Sequence, residues 1–222
     1  MQHNNFIPQV KICGLTRVQQ ALQCADLGAD AIGCVFYPKS PRHLTDGQAK
    51  KICLALPERV KKVGVFVNET FSYIINRVER CHLSTVQLHG QESPELVRRL
   101  RNQNLQVIKA LFIDGSPSLK DAENYPASAF LVECGQGKLP GGNALEWNWD
   151  QAKSLGEKHP LIIAGGLSPE NVFHAIKVSS PHAVDVSSGV ESNPGNKDIG
   201  KVAVFLNTVF RCGFHKKAKK IF

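Results

Sequence analysis

The heptapeptide "VKICGLT" at residues 10–16 ends a short apolar run on a cysteine, just ahead of a glycine and a threonine. A thiol so placed can be a small core residue, a metal ligand or a reacting group. Other polar residues join it once strand alternation sorts neighbouring side chains onto opposite faces. Val10 and Ile12 share one face, so Lys11 and Cys13 share the other; Val86 and Leu88 oppose Gln87 and His89. Phe130 and Val132 oppose Leu131 and Glu133, and Val184 and Val186 oppose Asp185 and Ser187. Four runs therefore offer a thiol, an amine, an imidazole and two carboxyls to one side, a set suited to moving protons. Two further segments, "IIAGGLSPEN" and "DVSSGVESNPG", are rich in Gly and Ser. Their bare backbone N–H groups, each ahead of a helix N-terminus, can surround an anion, so Gly165, Gly166, Ser187, Ser188 and Gly189 are candidate phosphate-binding residues.

The elements that must position these groups recur with a regular beat. Eight β-rich runs, "QVKIC", "DAIGCVFY", "KKVGVFVN", "STVQLHG", "QVIKALFI", "AFLVEC", "PLIIAGG" and "HAVDVSSG", are spaced at about the length of one strand-plus-helix unit. Between them lie amphipathic stretches with helix signals. "TRVQQALQCADLGAD" ends near Gly28 as a C-cap, "TDGQAKKICLAL" opens on Thr45 as N-cap and stops at Pro57, and "SPENVFHAIKV" places Ser168 at N-cap and Pro169 at the first helical position. Strand and helix in alternation predict a parallel sheet, since each crossover needs a helix to return the chain. An open doubly wound sheet would carry a G-x-G-x-x-G turn after its first strand, which is absent. The predicted fold class is a single-domain (β/α)₈ TIM barrel over residues 1–222, with a core at about 8–212 and a basic tail at 213–222. In a barrel the polar set converges on the C-terminal mouth, and loops seven and eight are the usual phosphate site.

Composition narrows the classes. At 222 residues with 42% apolar content the chain can bury a sizeable core, and no apolar run approaches a membrane span. "MQHNNFIPQV" has the features of no secretory signal. The cysteines (Cys13, Cys24, Cys34, Cys53, Cys81, Cys134, Cys212) number seven, are scattered, and form no C-x-x-C pair. That pattern fits a reducing, cytoplasmic setting and neither disulfides nor structural zinc. The net charge of +8 fits an anionic substrate, with part of the excess in "FHKKAKKIF", expected to be a solvated, frayed end. No nucleic-acid signature and no membrane contact is expected.

The motifs "VKICGLT", "FYPKSPRHLT", "VGVFVNE", "VQLHGQE", "IIAGGLSPENV" and "AVDVSSGVESNPGNKD", in this order, resemble those of phosphoribosylanthranilate isomerases. The resemblance spans nearly the whole chain except the first few residues and the basic tail. It implies an Amadori rearrangement of N-(5'-phosphoribosyl)anthranilate, an aminoaldose, to an aminoketose in tryptophan biosynthesis, with no metal, no organic cofactor, and a monomer or homodimer as the working form. Cys13 matches the family's general base, with Lys11 expected to favour its thiolate. Arg42 of "KSPRHL" matches the arginine that holds the anthranilate carboxylate, and His89 and Asp185 match positions near the substrate. Cys24, Cys53, Cys81 and Cys212, on expected helices, and Cys34 are assigned to packing.

One position departs. The family's general acid is an aspartate ending the sixth strand; here the aligned residue is Glu133, and no aspartate occurs between Phe130 and Trp149. Glutamate performs the same transfer from a side chain one methylene longer, and a retreat of the backbone is the expected accommodation. The glycine-rich loop that follows, "PGGNALEW", is also altered. The alternatives are another sugar-phosphate isomerase or epimerase, which would not need Arg42, and a silent barrel that binds a phosphorylated metabolite without turnover.

Overall fold

The computed structural model describes residues 6–136, 145–213 and 219–222. Eight parallel strands close on themselves in chain order: β1 (Gln9–Cys13), β2 (Ala31–Val35), β3 (Lys61–Phe66), β4 (Thr85–Leu88), β5 (Gln106–Phe112), β6 (Ala129–Glu133), β7 (Leu161–Ile163) and β8 (Ala183–Val186). Closure is made by β8 pairing with β1, Gln9 opposite Ala183 through Ile12 opposite Val186. The eight expected runs are these eight strands, and the fold is a TIM barrel.

The helices outside the barrel are α1 (Val18–Asp26), α2 (Asp46–Ala55), α3 (Phe71–Cys81), α4 (Pro94–Arg101), α5 (Lys153–Lys158), α6 (Val172–Ser179) and α7 (Ile199–Phe210). After β5 the return is a 3₁₀ helix, Leu119–Asn124. Thr45 caps α2 through a reciprocal capping box with Gln48, and α2 ends ahead of Pro57. Gly28 adopts φ +103°, a conformation open to glycine, just past α1. The expected cap at Ser168 is displaced. α6 begins at Val172, because the Asn171 side chain accepts from Ser168 N and donates to Gly166 O, closing residues 168–171 as a turn. Cys212 also falls two residues beyond α7 rather than within it.

Alternation divides the core into two shells. Val10, Ile12, Val86, Leu88, Phe130, Val132, Val184 and Val186 pack outward with the helices. Inside the barrel, Ala31, Val63, Ile108, Ala129, Leu131, Ile162 and Ala183 form the lower core. Two unexpected members complete it. Ile221 and Phe222, 5% and 3% exposed, pack into this lower core. The Gln9 side chain accepts from Ile221 N (2.7 Å) and Phe222 N (3.0 Å) and donates to Phe222 O (2.8 Å). The end of the basic tail is thus docked rather than frayed: two apolar residues gain burial and their backbone groups gain partners. Residues 214–218 of that tail lie outside the described residues. Among the described residues no helix is long and apolar enough to cross a membrane.

Candidate active site

At the opposite end of the barrel the polar residues meet. Lys11, fully buried, directs Nζ to Asp185 Oδ2 at 2.7 Å. Burial works against its charge, but Asp185 and Cys13 outweigh that and hold the ammonium protonated. Cys13 ends β1 above this pair. Burial, the largest influence, pushes its thiol up; Lys11 favours the thiolate, as expected, and Lys197 joins it, but together they do not cancel the burial. Gly14 answers why a glycine follows the thiol: at φ +76°, a Cβ there would lie 2.3 Å from Arg42 Cδ, so the bare backbone lets Arg42 cross the rim.

Arg42 is itself held. Its Nε and Nη2 donate to the two oxygens of Glu191 at 2.8 and 2.6 Å, a bidentate pair in which both side chains are nearly buried. Glu191 also accepts from Lys197 Nζ at 2.7 Å. Although burial opposes it, the Arg42 and Lys197 contacts hold the Glu191 carboxyl below its ordinary range. Glu191 and Lys197 face each other across a two-stranded hairpin, β9 (Glu191–Asn193) and β10 (Asn196–Lys197), inserted between β8 and α7. With one edge taken by Glu191, the Nη1 end of the guanidinium is the part left for an anion in the pocket.

Across the mouth, Glu133 ends β6, which runs in unbroken register with β5 from Ile108–Ala129 to Phe112–Glu133. Its carboxyl extends to His89, Oε1 lying 3.1 Å from Nε2. His89 Nδ1 in turn receives Gln87 Nε2 at 2.9 Å, so both ring nitrogens are engaged by protein. Behind His89, the buried Lys109 bonds Gly90 O (2.6 Å) and Glu92 Oε2 (2.7 Å), and Glu92 accepts from Gly90 N, fixing the loop that carries the imidazole.

The glycine- and serine-rich loops close the remaining side. Gly165 and Gly166 both take left-handed φ, +77° and +69°. Gly189 presses on loop seven, where a Cβ would lie 1.9 Å from Leu167 O. Ser187 Oγ donates to Cys13 O at 3.1 Å, tying loop eight to the thiol's backbone. The helix after loop eight is only the 3₁₀ turn Ser188–Val190, with the hairpin ahead of α7. The thiol, the two carboxyls of Glu133 and Asp185, Arg42 and these loops meet around one pocket. Its walls include Cys13, Arg42, Gln87, His89, Glu133, Gly165, Gly166, Asp185, Ser187 and Ser188; Gly189 lies one residue beyond. Asp185 Oδ1 is buried there without a hydrogen-bond partner among the described residues. Among the described residues no group of three His, Cys, Asp or Glu side chains is arranged to hold a metal ion. The altered glycine-rich loop falls mostly on residues 137–144, outside the described residues.

Sequence reasoning had not singled out Glu191, Lys197 or the Gln87 contact to His89. Glu191 and Lys197 stand inside the quoted motif "AVDVSSGVESNPGNKD", and the turn signal "NPGN" between them was the clue to a hairpin that brings them together.

The family model described as N-(5'phosphoribosyl)anthranilate (PRA) isomerase matches residues 10–208. The chain is 51% identical over 214 residues to the N-(5'-phosphoribosyl)anthranilate isomerase of Desulfatibacillum aliphaticivorans, covering 96% of this chain and 98% of that protein. It superposes on the crystal structure of phosphoribosyl anthranilate isomerase from Thermotoga maritima with a TM-score of 0.85 at 38% identity, covering 92% of this chain and 99% of the other. A phosphoribosyl anthranilate isomerase crystallised with reduced 1-(o-carboxyphenylamino)-1-deoxyribulose 5-phosphate superposes at 0.82, also at 38% identity with coverage of 92% and 99%. Barrel, mouth and likeness agree: the chain belongs to the family of N-(5'-phosphoribosyl)anthranilate isomerases, enzymes of tryptophan biosynthesis.

Proposed function

We propose that the pocket converts N-(5'-phosphoribosyl)anthranilate to 1-(2-carboxyphenylamino)-1-deoxyribulose 5-phosphate with Glu133 as general acid and Cys13 as general base. The phosphate end rests on the Gly165–Gly166 and Ser187–Ser188 backbones, the anthranilate carboxylate meets the Nη1 end of Arg42, and Asp185 accepts a ribose hydroxyl through Oδ1. Glu133, protonated, gives its proton to the furanose oxygen, and the ring opens to an iminium ion. The Cys13 thiolate removes the C2' proton, which the iminium has made acidic, leaving an enaminol. Cys13 then returns a proton to C1' while Glu133 takes one from the C2' hydroxyl, and both groups end as they began.

The working pair is thiolate plus carboxylic acid, whereas burial favours the thiol at rest. Moving one proton from Cys13 to Glu133 interconverts the two pairs without change of net charge. Lys11 and Lys197 are the cations beside the sulfur that make the thiolate attainable. The observation that carries this reading is that one pocket is lined by a thiol, a carboxyl, an arginine and two glycine- or serine-rich loops. It is tested by following loss of the fluorescence of the anthranilate adduct. Cys13→Ser and Glu133→Gln should each lose on the order of 100- to 10,000-fold in kcat. Full activity in both variants would remove these roles, and an inactive unmodified protein would instead indicate a silent, metabolite-binding barrel.

A further inference from the structure

Gln87 is 1% exposed, and its Oε1 is buried with no hydrogen-bond partner among the described residues. Its Nε2 faces His89 Nδ1 at 2.9 Å, and His89 Nε2 faces Glu133 Oε1 at 3.1 Å. An amide nitrogen can only donate, so Nδ1 must accept and a neutral imidazole carries its hydrogen on Nε2. That hydrogen then points at Glu133 Oε1, which accepts it, and an ionised carboxylate is the stronger acceptor. A half-turn of the amide exchanges these roles on the same heavy atoms. Oε1 would accept from Nδ1–H, Nε2 would offer a lone pair, and Glu133 could bond it only by donating a carboxyl hydrogen. The unpartnered Oε1 is the second half of this switch, because in either orientation one end of the amide meets His89 and the other has no hydrogen bond to lock it in place.

We propose that Gln87 is a positioning residue whose amide orientation selects the tautomer of His89 and thereby whether Glu133 holds the proton used to open the ring. This rests on the assignment of Glu133 as general acid. The proton Glu133 gains is the one Cys13 gives up, so the carboxylate and thiol of the resting pair become the carboxylic acid and thiolate of the working one. The charged group facing the His89–Glu133 pair is Asp185 from β8, itself paired with Lys11 from β1, and Cys13 lines the same pocket, while the Phe112 ring from β5 meets the imidazole edge-on at 5.8 Å.

The test combines histidine ¹⁵N NMR with kinetics. In the unmodified protein, acidification should move the His89 hydrogen from Nε2 to Nδ1 before the ring is doubly protonated. Passage straight to imidazolium with Nε2–H kept throughout would overturn the proposal. Gln87→Glu, which can only accept at Nδ1, should hold the Nδ1–H tautomer, and Gln87→Met, which can do neither, should mix the two. Gln87→Met should also lose about 10-fold or more in kcat with KM within about 2-fold, since the effect is on chemistry rather than binding. Unchanged His89 signals and unchanged kcat in a folded Gln87→Met protein would overturn it as well. Glu133→Gln separates the two levels: full activity there sinks the acid assignment itself, whereas inactivity there beside an unaffected Gln87→Met sinks only the switch.

Discussion

The two ends of this barrel solve opposite problems with the same eight strands. The base is finished: Ile221 and Phe222 fill it with apolar surface, and one side chain, Gln9, satisfies three backbone groups of the docked segment. The mouth is left unfinished. Lys11 and Asp185 are buried as an ion pair yet Asp185 Oδ1 has no partner among the described residues, Gln87 Oε1 has none, and burial holds Cys13 away from its reactive form. Groups of that kind cost stability where they stand. They cluster at the mouth, where a ligand can complete them, although the start of β4 also buries one, Thr85 Oγ1, without a hydrogen-bond partner among the described residues.

The strongest way to break this contrast is to unbalance the mouth. Lys11→Met removes one partner of a buried ion pair and leaves Asp185 facing an apolar side chain, so a loss of about 3–5 kcal/mol is expected, with activity lost as well. Chemical denaturation measures it. The double variant Lys11→Met/Asp185→Asn should recover much of the stability and none of the activity. A single variant as stable as the parent would mean that the pair is not an ion pair in the folded state. Next in size is the base. Phe222→Ala should cost about 3 kcal/mol through lost burial and the cavity left behind, while kcat and KM stay at parental values. A change in KM there would show that the two ends communicate.

The third break lies within the mouth. Glu191 aims Arg42, so Glu191→Gln, which keeps the shape and removes the charge, should raise KM about 10-fold, or ~1.4 kcal/mol of binding, with kcat less affected. The same carboxyl has a pH signature. Its folded pKa is depressed, so its contribution to stability is present above its ordinary value and is lost as pH falls through the lower folded one. Thermal unfolding of the parent should therefore decline on acidification more steeply than that of Glu191→Gln.

The sequence revealed the two ends unequally. Alternation with period two was enough to turn Lys11, Cys13, Gln87, His89, Glu133 and Asp185 inward, because the opposing Val, Ile, Leu and Phe residues have a helix layer to meet. Thr45 was legible as a cap because its partner, Gln48, is three residues away. Ser168 was misjudged because Asn171 competes locally for the same backbone groups. What could not be read was contact between residues distant in sequence. Arg42 and Glu191 are 149 positions apart, and Gln9 and Phe222 are 213 apart. The lysines of "HKKAKK" concealed the apolar pair behind them, whose burial makes sense only once the barrel has an open base to fill.

The smallest expected effect is a displaced titration curve. Burial raises the Cys13 thiol above its ordinary value and the neighbouring Lys11 and Lys197 do not fully reverse it. Iodoacetamide should therefore modify Cys13 slowly at neutral pH, with a rate that climbs only beyond the range of an exposed thiol, since the thiolate is the nucleophile. The sign for stability follows from the same shift: a raised folded value means that stability is retained below the ordinary thiol range and declines as pH rises through the folded one. Peptide mapping of the modified cysteine against pH measures the curve. Glu191→Gln should move it little, because Lys197 loses a counter-charge but remains beside the sulfur; Phe222→Ala should not move it at all, because the base contributes no charge to the thiol. A curve displaced by Phe222→Ala would mean that the docked chain end, and not only the rim, sets the acidity of the proposed base, and the division between a finished base and an unfinished mouth would fail at its most sensitive point.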